Sequence, residues 1–420
     1  MFKSLRIGTY YRKVKAPPRP EYTPVRSAGR SLQTLAGRVY LQRVVMDMLK
    51  RLEYQKMSDY RPKLPSNNAY DYYIAAARQL KAGEGFSGQQ PPTPQERRWI
   101  EANQGAFNTL RGAFGKPYQF PFGAVGYEFY ADEYALLRNL TRLVNARIRW
   151  AIAVRDGTDA VHDWRIGFQM ARHLQGDTTL NYLVGAALEA TIHAPILREV
   201  DFFSAHECRE MAQTLIQSER SRDRFASVIE GELAMSLREL DRMLPERTDE
   251  ARAAIEPLLN EALTDIEGEE DRRTLERLQD EFQSLFNQPS AYQRLRAELR
   301  RVITQGWQAI ADAVSLRGGR FHEPKLKEYD SDTLFGALAS LVQPLPLLAR
   351  RYWEQRTRRR LMLIHLMLRE YRLREGRYPD SLEPLNLQEL TIDPFTGQPF
   401  GYRLTGERYQ LFSVGVAGNG

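Results

Sequence analysis

The chain has 420 residues, 42% of them hydrophobic and 10% aromatic, a composition that supports large buried cores and excludes wholesale disorder. The formal net charge is +7 and the pI near 9.3. Fifty of the 60 basic residues are arginine, so most of this excess reads as arginine-rich usage, and the rest is compatible with an anionic partner. Cys208 is the single cysteine, which rules out an intrachain disulfide.

Residues 1–30 hold eight lysines and arginines against Glu21, with Pro17, Pro18, Pro20 and Pro24 among them. That mixture predicts an extended, solvated arm, which either lies on an anionic membrane surface or is an idle tail. The start lacks the continuous apolar run of a secretory signal. Leu32–Gln55 reads as an amphipathic helix, too charged to span a bilayer. Ala69–Leu80 is a second helix with Asn68 as its cap, and Pro94–Phe114 a third with Thr93 as its cap. Phe120-Pro121-Phe122-Gly123 opens an aromatic loop that runs to Tyr130, expected to plug a core edge rather than stack bases. No nucleic-acid partner is expected.

From Ala131 the periodicity is regular. Ala131–Val154 places Leu136, Leu140, Leu143, Val144, Ile148, Ala151 and Ile152 on one face. Breaks at Asp156-Gly157-Thr158 and Gln175-Gly176-Asp177 separate it from helices over Thr158–Leu174 and Thr178–Val200. Breaks this short predict antiparallel neighbours. The first pair resembles a tetratricopeptide-type hairpin. Ser204–Leu244 reads as one helix, with a bend expected near Glu230-Gly231. Asp249–Glu267, Glu269–Phe286 and Ala291–Leu316 follow as helices. Leu334–Ala349 is apolar but shorter than the ~20 residues a membrane helix needs, and Pro344 and Pro346 interrupt it, so a buried core helix is expected. Arg350–Gly376 is then a long helix with an apolar stripe (Leu361, Ile364, Leu368, Tyr371). Arg356, Arg359, Arg360, Arg369, Arg372 and Arg374 are assigned to its outer face, where an acidic partner surface would dock.

Gly376 is placed to close that helix in the left-handed conformation, and Pro379 forces Tyr378 out of helical geometry. In Asp393-Pro394-Phe395-Thr396-Gly397, the carboxylate is expected to bond backbone two residues on. Tyr402–Leu404 and Tyr409–Val414 read as the strands of a hairpin. The helix ending in Tyr371…Gly376-Arg377-Tyr378-Pro379, the Asp393-Pro394-Phe395…Gly397 turn and the closing Leu411-Phe412-Ser413-Val414-Gly415 resemble, in this order, the C-terminal part of the G-type major pseudopilin of type II secretion. The resemblance covers about the last sixty residues. It implies a helix laid over a small antiparallel ribbon, with Gly376, Tyr378, Pro379, Asp393, Pro394, Gly397, Tyr409, Phe412, Ser413 and Gly415 as its structural and interaction residues. The long helical layout also resembles a group of bacterial envelope proteins with such a C-terminus. The family's calcium loop carries an aspartate near the place of Ala417, and Asn419 alone cannot supply six to eight oxygen ligands, so no metal site is carried over.

The expected fold is mainly α, organised as a basic arm (1–30), N-terminal helices with the aromatic loop (31–130), a helical-hairpin body that is partly tetratricopeptide-like (131–330), and a long helix with a small α+β module (331–420). No constellation supports catalysis. His206-Glu207-Cys208-Arg209-Glu210 comes nearest to a zinc motif, but Glu210 stands where the second histidine belongs. His162, His173 and His193 read as packing residues. The expectation is a non-enzymatic structural or protein-interaction protein without cofactor, associated by resemblance with a type II secretion or pilus-like apparatus of the cell envelope. The missing apolar helix speaks against a place within the filament. The alternative is a soluble, cytoplasmic tetratricopeptide-like adaptor that holds a peptide in the groove of residues 131–217.

Overall fold

The computed structural model of the chain describes residues 67–81, 86–120, 131–176, 178–221, 224–265, 269–315, 319–329, 333–413 and 415. The basic arm, the helix expected over 32–55 and the aromatic loop beyond Phe120 lie outside them. Within them the fold is mainly helical, thirteen α-helices with one small C-terminal two-stranded antiparallel sheet.

The first helices are α1 (Ala69–Arg78), α2 (Pro94–Ala102) and α3 (Gln104–Arg111). Asn68 caps α1 through Tyr70 N, and Thr93 caps α2 through Glu96 N at 3.2 Å, as their positions dictate. The single helix expected over 94–114 is instead two, broken at Asn103. Its side chain takes the Trp99 carbonyl at 2.8 Å while its Oδ1 accepts from Lys81 N at 2.7 Å, a local alternative to helical hydrogen bonding.

Next come α4 (Ala131–Ala153), α5 (Gly157–Leu174) and α6 (Thr179–Arg198), which pack on one another, with Asp156 and Thr178 capping the second and third. Ser204 and Glu207 form a capping box for α7 (Ala205–Arg220). The continuous helix expected over 204–244 ends there. Ser221 is extended and its hydroxyl donates to the Ser218 carbonyl at 2.8 Å, after which α8 (Arg224–Met243) runs unbroken through Glu230-Gly231. The more charged α9 (Thr248–Asp265) and α10 (Glu269–Phe286) lead to α11 (Pro289–Val314).

The apolar stretch 334–349 is not one helix. It forms α12 (Leu334–Val342), a corner in which Pro344 packs directly onto Gly306 of α11, and the first residues of α13 (Leu347–Glu375). A Cβ at position 306 would lie 2.6 Å from the Pro344 ring, so the glycine makes this corner possible.

Two hydrophobic cores result, and α13 belongs to both. Leu348, Ala349, Tyr352 and Trp353 sit in the core built by α8–α12. Met362, Leu363, Ile364, Leu366 and Leu368 sit in the core built by α1 and α3–α7, which also receives Tyr378, Leu385, Leu390 and Phe400 of the C-terminal module. The module's strands, β1 (Gly401–Thr405) and β2 (Arg408–Phe412), pair antiparallel with Leu404 opposite Tyr409 and Tyr402 opposite Leu411. These four side chains form the face that packs on the first core. Arg403, Thr405, Arg408, Gln410 and Phe412 face outward.

Candidate functional site

The residues singled out in the C-terminal module gather into two clusters. In the first, Gly376 closes α13 at φ +77° with its N–H on the Arg372 carbonyl. The chain then turns so that Tyr378 packs edge-on against Tyr409, with ring centroids 4.7 Å apart. Tyr402 donates to the Pro379 carbonyl at 2.7 Å, and the Tyr409 hydroxyl meets His365 Nδ1 on α13. Burial lowers the His365 pKa to about 4 and raises that of Tyr409, so a protonated phenol and a neutral imidazole share this hydrogen bond.

The second cluster is centred on Asp393, which is buried. Oδ1 accepts from Phe395 N at 3.0 Å, closing the turn expected from the sequence. Oδ2 accepts from Ser413 Oγ at 2.7 Å, and Ser413 Oγ in turn accepts from Gly415 N at 3.1 Å. Pro394 offers its carbonyl to Phe321 N at 2.7 Å, fastening the module to the loop before α12. Gly397 sits at φ +69°, where an added Cβ would lie 2.8 Å from the Gly319 carbonyl oxygen. Phe412 joins neither cluster. Its ring lies over Gly401, leaving no room for a side chain there, and it is 40% exposed.

A third cluster was not expected. The arginines assigned to the outer face of the long helix turn inward where α13 crosses between the two cores. Arg359 is 2% exposed and Arg360 8% exposed. Spaced three and four residues apart, Arg356, Arg359 and Arg360 share a face, and their acidic partners come from the same chain. Arg359 grips Glu189 of α6 through Nε and Nη2 at 2.9 and 2.8 Å, and reaches Glu219 of α7 through Nη1 at 2.8 Å. Arg356 and Arg360 also donate to Glu219, and Arg360 continues to the Ile392 carbonyl of the module at 3.0 Å. Gln175 and Gln355 donate to Glu189 at 2.8 and 2.6 Å. Burial works against both carboxylates, but the charge of Arg359 outweighs it. With further donors it holds Glu189 well below the carboxylate range, and with Arg356 and Arg360 it holds Glu219 at about 2. Beside this network opens a narrow cleft lined by Arg172, Arg224, Arg356, Glu219, Ser218, Tyr182 and Tyr352 among others. The signal in the sequence was faint: Glu189 is the sole acidic residue of α6, whose only other formal charge is Arg198 at its end.

The remaining candidates behave as surface or packing residues. Glu210 pairs with Arg165 at 2.7 Å, and Cys208 is fully buried. His193 accepts from the Trp164 indole at 3.1 Å, and His173 meets the Tyr73 hydroxyl at 2.7 Å. Among the described residues, no group of three or more His, Cys, Asp or Glu side chains could hold a metal ion, and no helix is long and apolar enough to cross a membrane.

No family model, curated protein or solved structure matches the chain.

Proposed function

We propose that the chain is a non-enzymatic interaction scaffold whose pseudopilin-like C-terminal module docks on a partner of a type II secretion or pilus-like envelope apparatus. The observation that supports this reading is the seating of the ribbon. Its inner face packs on the core that holds Met362–Leu368 of α13, and Arg360 of α13 bonds the Ile392 carbonyl beside Asp393, while α13 is itself part of both cores. The module is therefore held firmly with respect to the body, and binding at its outer face costs little ordering entropy. That face carries Arg403, Arg408 and the exposed Phe412. An aromatic anchor flanked by guanidinium groups suits an acidic partner surface. The groove imagined for a peptide between residues 131 and 217 is less suited, because α13 lies against both α6 and α7 there.

A photo-crosslinker placed at Gln410 of the full chain in its native cells tests the proposal, with a second one at Arg301 on α11 as reference. Adducts with a secretion or pilus component from position 410 alone are expected. Adducts with such a component only from position 301, or none from either, would overturn it.

A further inference from the structure

We propose that the free edge of β2 pairs antiparallel with the same edge of a second copy of this chain, joining two ribbons into one four-stranded sheet. Among the described residues no further strand lies beside β1 or β2, so each keeps one edge open to pairing. The register fixes which backbone groups lie on the edge of β2. Phe400 N donates to the Thr391 carbonyl at 2.8 Å, on the side of β1 away from β2. The backbone groups of Gly401, Arg403 and Thr405 therefore point towards β2, and those of Tyr402 and Leu404 away from it. Gly406, at φ +60°, opens the two-residue turn between Thr405 and Arg408, which demands the same alternation. Opposite Tyr402 and Leu404 stand Leu411 and Tyr409. Their N–H and C=O groups point outward from β2, and among the described residues no backbone group bonds them.

The strand Arg408-Tyr409-Gln410-Leu411-Phe412 complements its own reverse. A twofold axis at Gln410 sets Tyr409 opposite Leu411 of the second copy, and these two residues supply about four backbone hydrogen bonds across the junction. This register pairs all five residues of the strand, whereas a shift of the axis by one residue either way pairs only three. On the outer face, Arg408, Gln410 and Phe412 are exposed. There Arg408 stands opposite Phe412 of the second copy, and Gln410 opposite its twin. No like charges meet, whereas a parallel pairing in register would set Arg408 beside Arg408. The Phe412 ring leans over Gly401 of its own ribbon, which leaves its other side to the aliphatic stem of the incoming arginine. On the inner face, half-buried Tyr409 and Leu411 make an aromatic–aliphatic pair across the junction. The docking proposed above uses the outer face of the ribbon and this contact uses its edge, so either stands without the other. Five residues per chain make a small contact, and a dissociation constant on the order of 100 µM is expected.

Cysteine cross-linking of the full-length chain reads this register, since the native Cys208 is fully buried. The two residues at the axis form a non-hydrogen-bonded pair with Cα atoms about 4.5 Å apart, within disulfide reach. Gln410→Cys should therefore give a disulfide-linked dimer under mild oxidation. Arg408→Cys and Phe412→Cys should each stay monomeric alone and link when the two are mixed. Arg301→Cys, exposed on α11, should give no dimer. In the unsubstituted chain, the weight-average mass from sedimentation should rise above 48.6 kDa between about 10 and about 500 µM. Gln410→Glu, which sets two carboxylates face to face, should weaken the association about threefold or more. A mass of one chain throughout that range would overturn the proposal. So would Gln410→Cys linking no faster than Arg301→Cys, or Arg408→Cys linking with itself as readily as Gln410→Cys does.

Discussion

At the scale of single residues, similar side chains have different worth because their surroundings differ. Arg358 and Arg359 are neighbours on α13. The first is half exposed and reaches Glu354 at 4.0 Å, whereas the second is buried between two carboxylates. Arg359→Met would leave Glu189 and Glu219 short of their main counter-charge, and an unfolding titration in urea should show a loss of about 3–5 kcal/mol. Arg358→Met should stay within about 0.5 kcal/mol. Similar losses for the two would show that the inward network does not form. Glycines make a second pair. Gly397 and Gly406 both have positive φ, but a Cβ at 397 would strike the Gly319 carbonyl, whereas at 406 it meets nothing within 4 Å. Gly406→Ala should cost about 1 kcal/mol from backbone strain alone, and Gly397→Ala at least about 2 kcal/mol more. Equal costs would mean that the turn at Asp393 is not pressed against the loop at 319.

At the scale of elements, α13 explains what could be read from the sequence and what could not. Its apolar stripe from Leu361 to Tyr371, the closing Gly376 and the ribbon over it were legible, because period, glycine and proline act locally. The direction of its arginines was not. Periodicity assigns a charged residue to solvent by default, and only the tertiary placement of Glu189 and Glu219, some 140 to 170 residues earlier, turns Arg359 inward. The broken helices at Asn103 and Ser221 were hidden for a related reason. Neither break holds a proline or glycine, and side-chain bonds to backbone end the helix instead. Because α13 completes both cores, a chain ending at residue 346 would expose the inner faces of α7 and α11 together. Such a chain is expected to be insoluble or molten, with its near-ultraviolet dichroism lost. A chain ending at residue 376 keeps Leu348 through Leu368 and should retain most of its helical signal. If the shorter chain folded cooperatively, α13 would be an appendage rather than the shared wall of two cores.

For the whole molecule, two buried histidines and two buried carboxylates point to loss of stability on the acid side. Burial lowers the pKa of His173 to about 3 and that of His365 to about 4, from 6.5 when unfolded. In both cases the unfolded chain binds the proton more readily, so stability is complete above about pH 6.5 and falls as the pH drops towards those folded values. Glu189 and Glu219 act lower down. Their folded pKa values lie below the ordinary carboxylate value of 4.5, that of Glu219 at about 2. Their contribution is whole above about pH 4.5 and is lost as the pH falls through the folded value. The two histidines occupy the first core and its module, each hydrogen-bonded to a tyrosine hydroxyl (Tyr73 and Tyr409), whereas the carboxylates bind that core to the second through α13. Acid should therefore weaken the α1–α5 and ribbon contacts first, between about pH 6.5 and 4, and separate the two cores afterwards. The melting temperature followed from pH 8 to 3 is expected to decline in two stages. His365→Gln, which keeps a side-chain acceptor for Tyr409 but does not titrate, should flatten the first stage and leave the second. A melting temperature constant from pH 7 to 4.5, or a first stage indifferent to His365→Gln, would show that these imidazoles are not sealed in the folded chain.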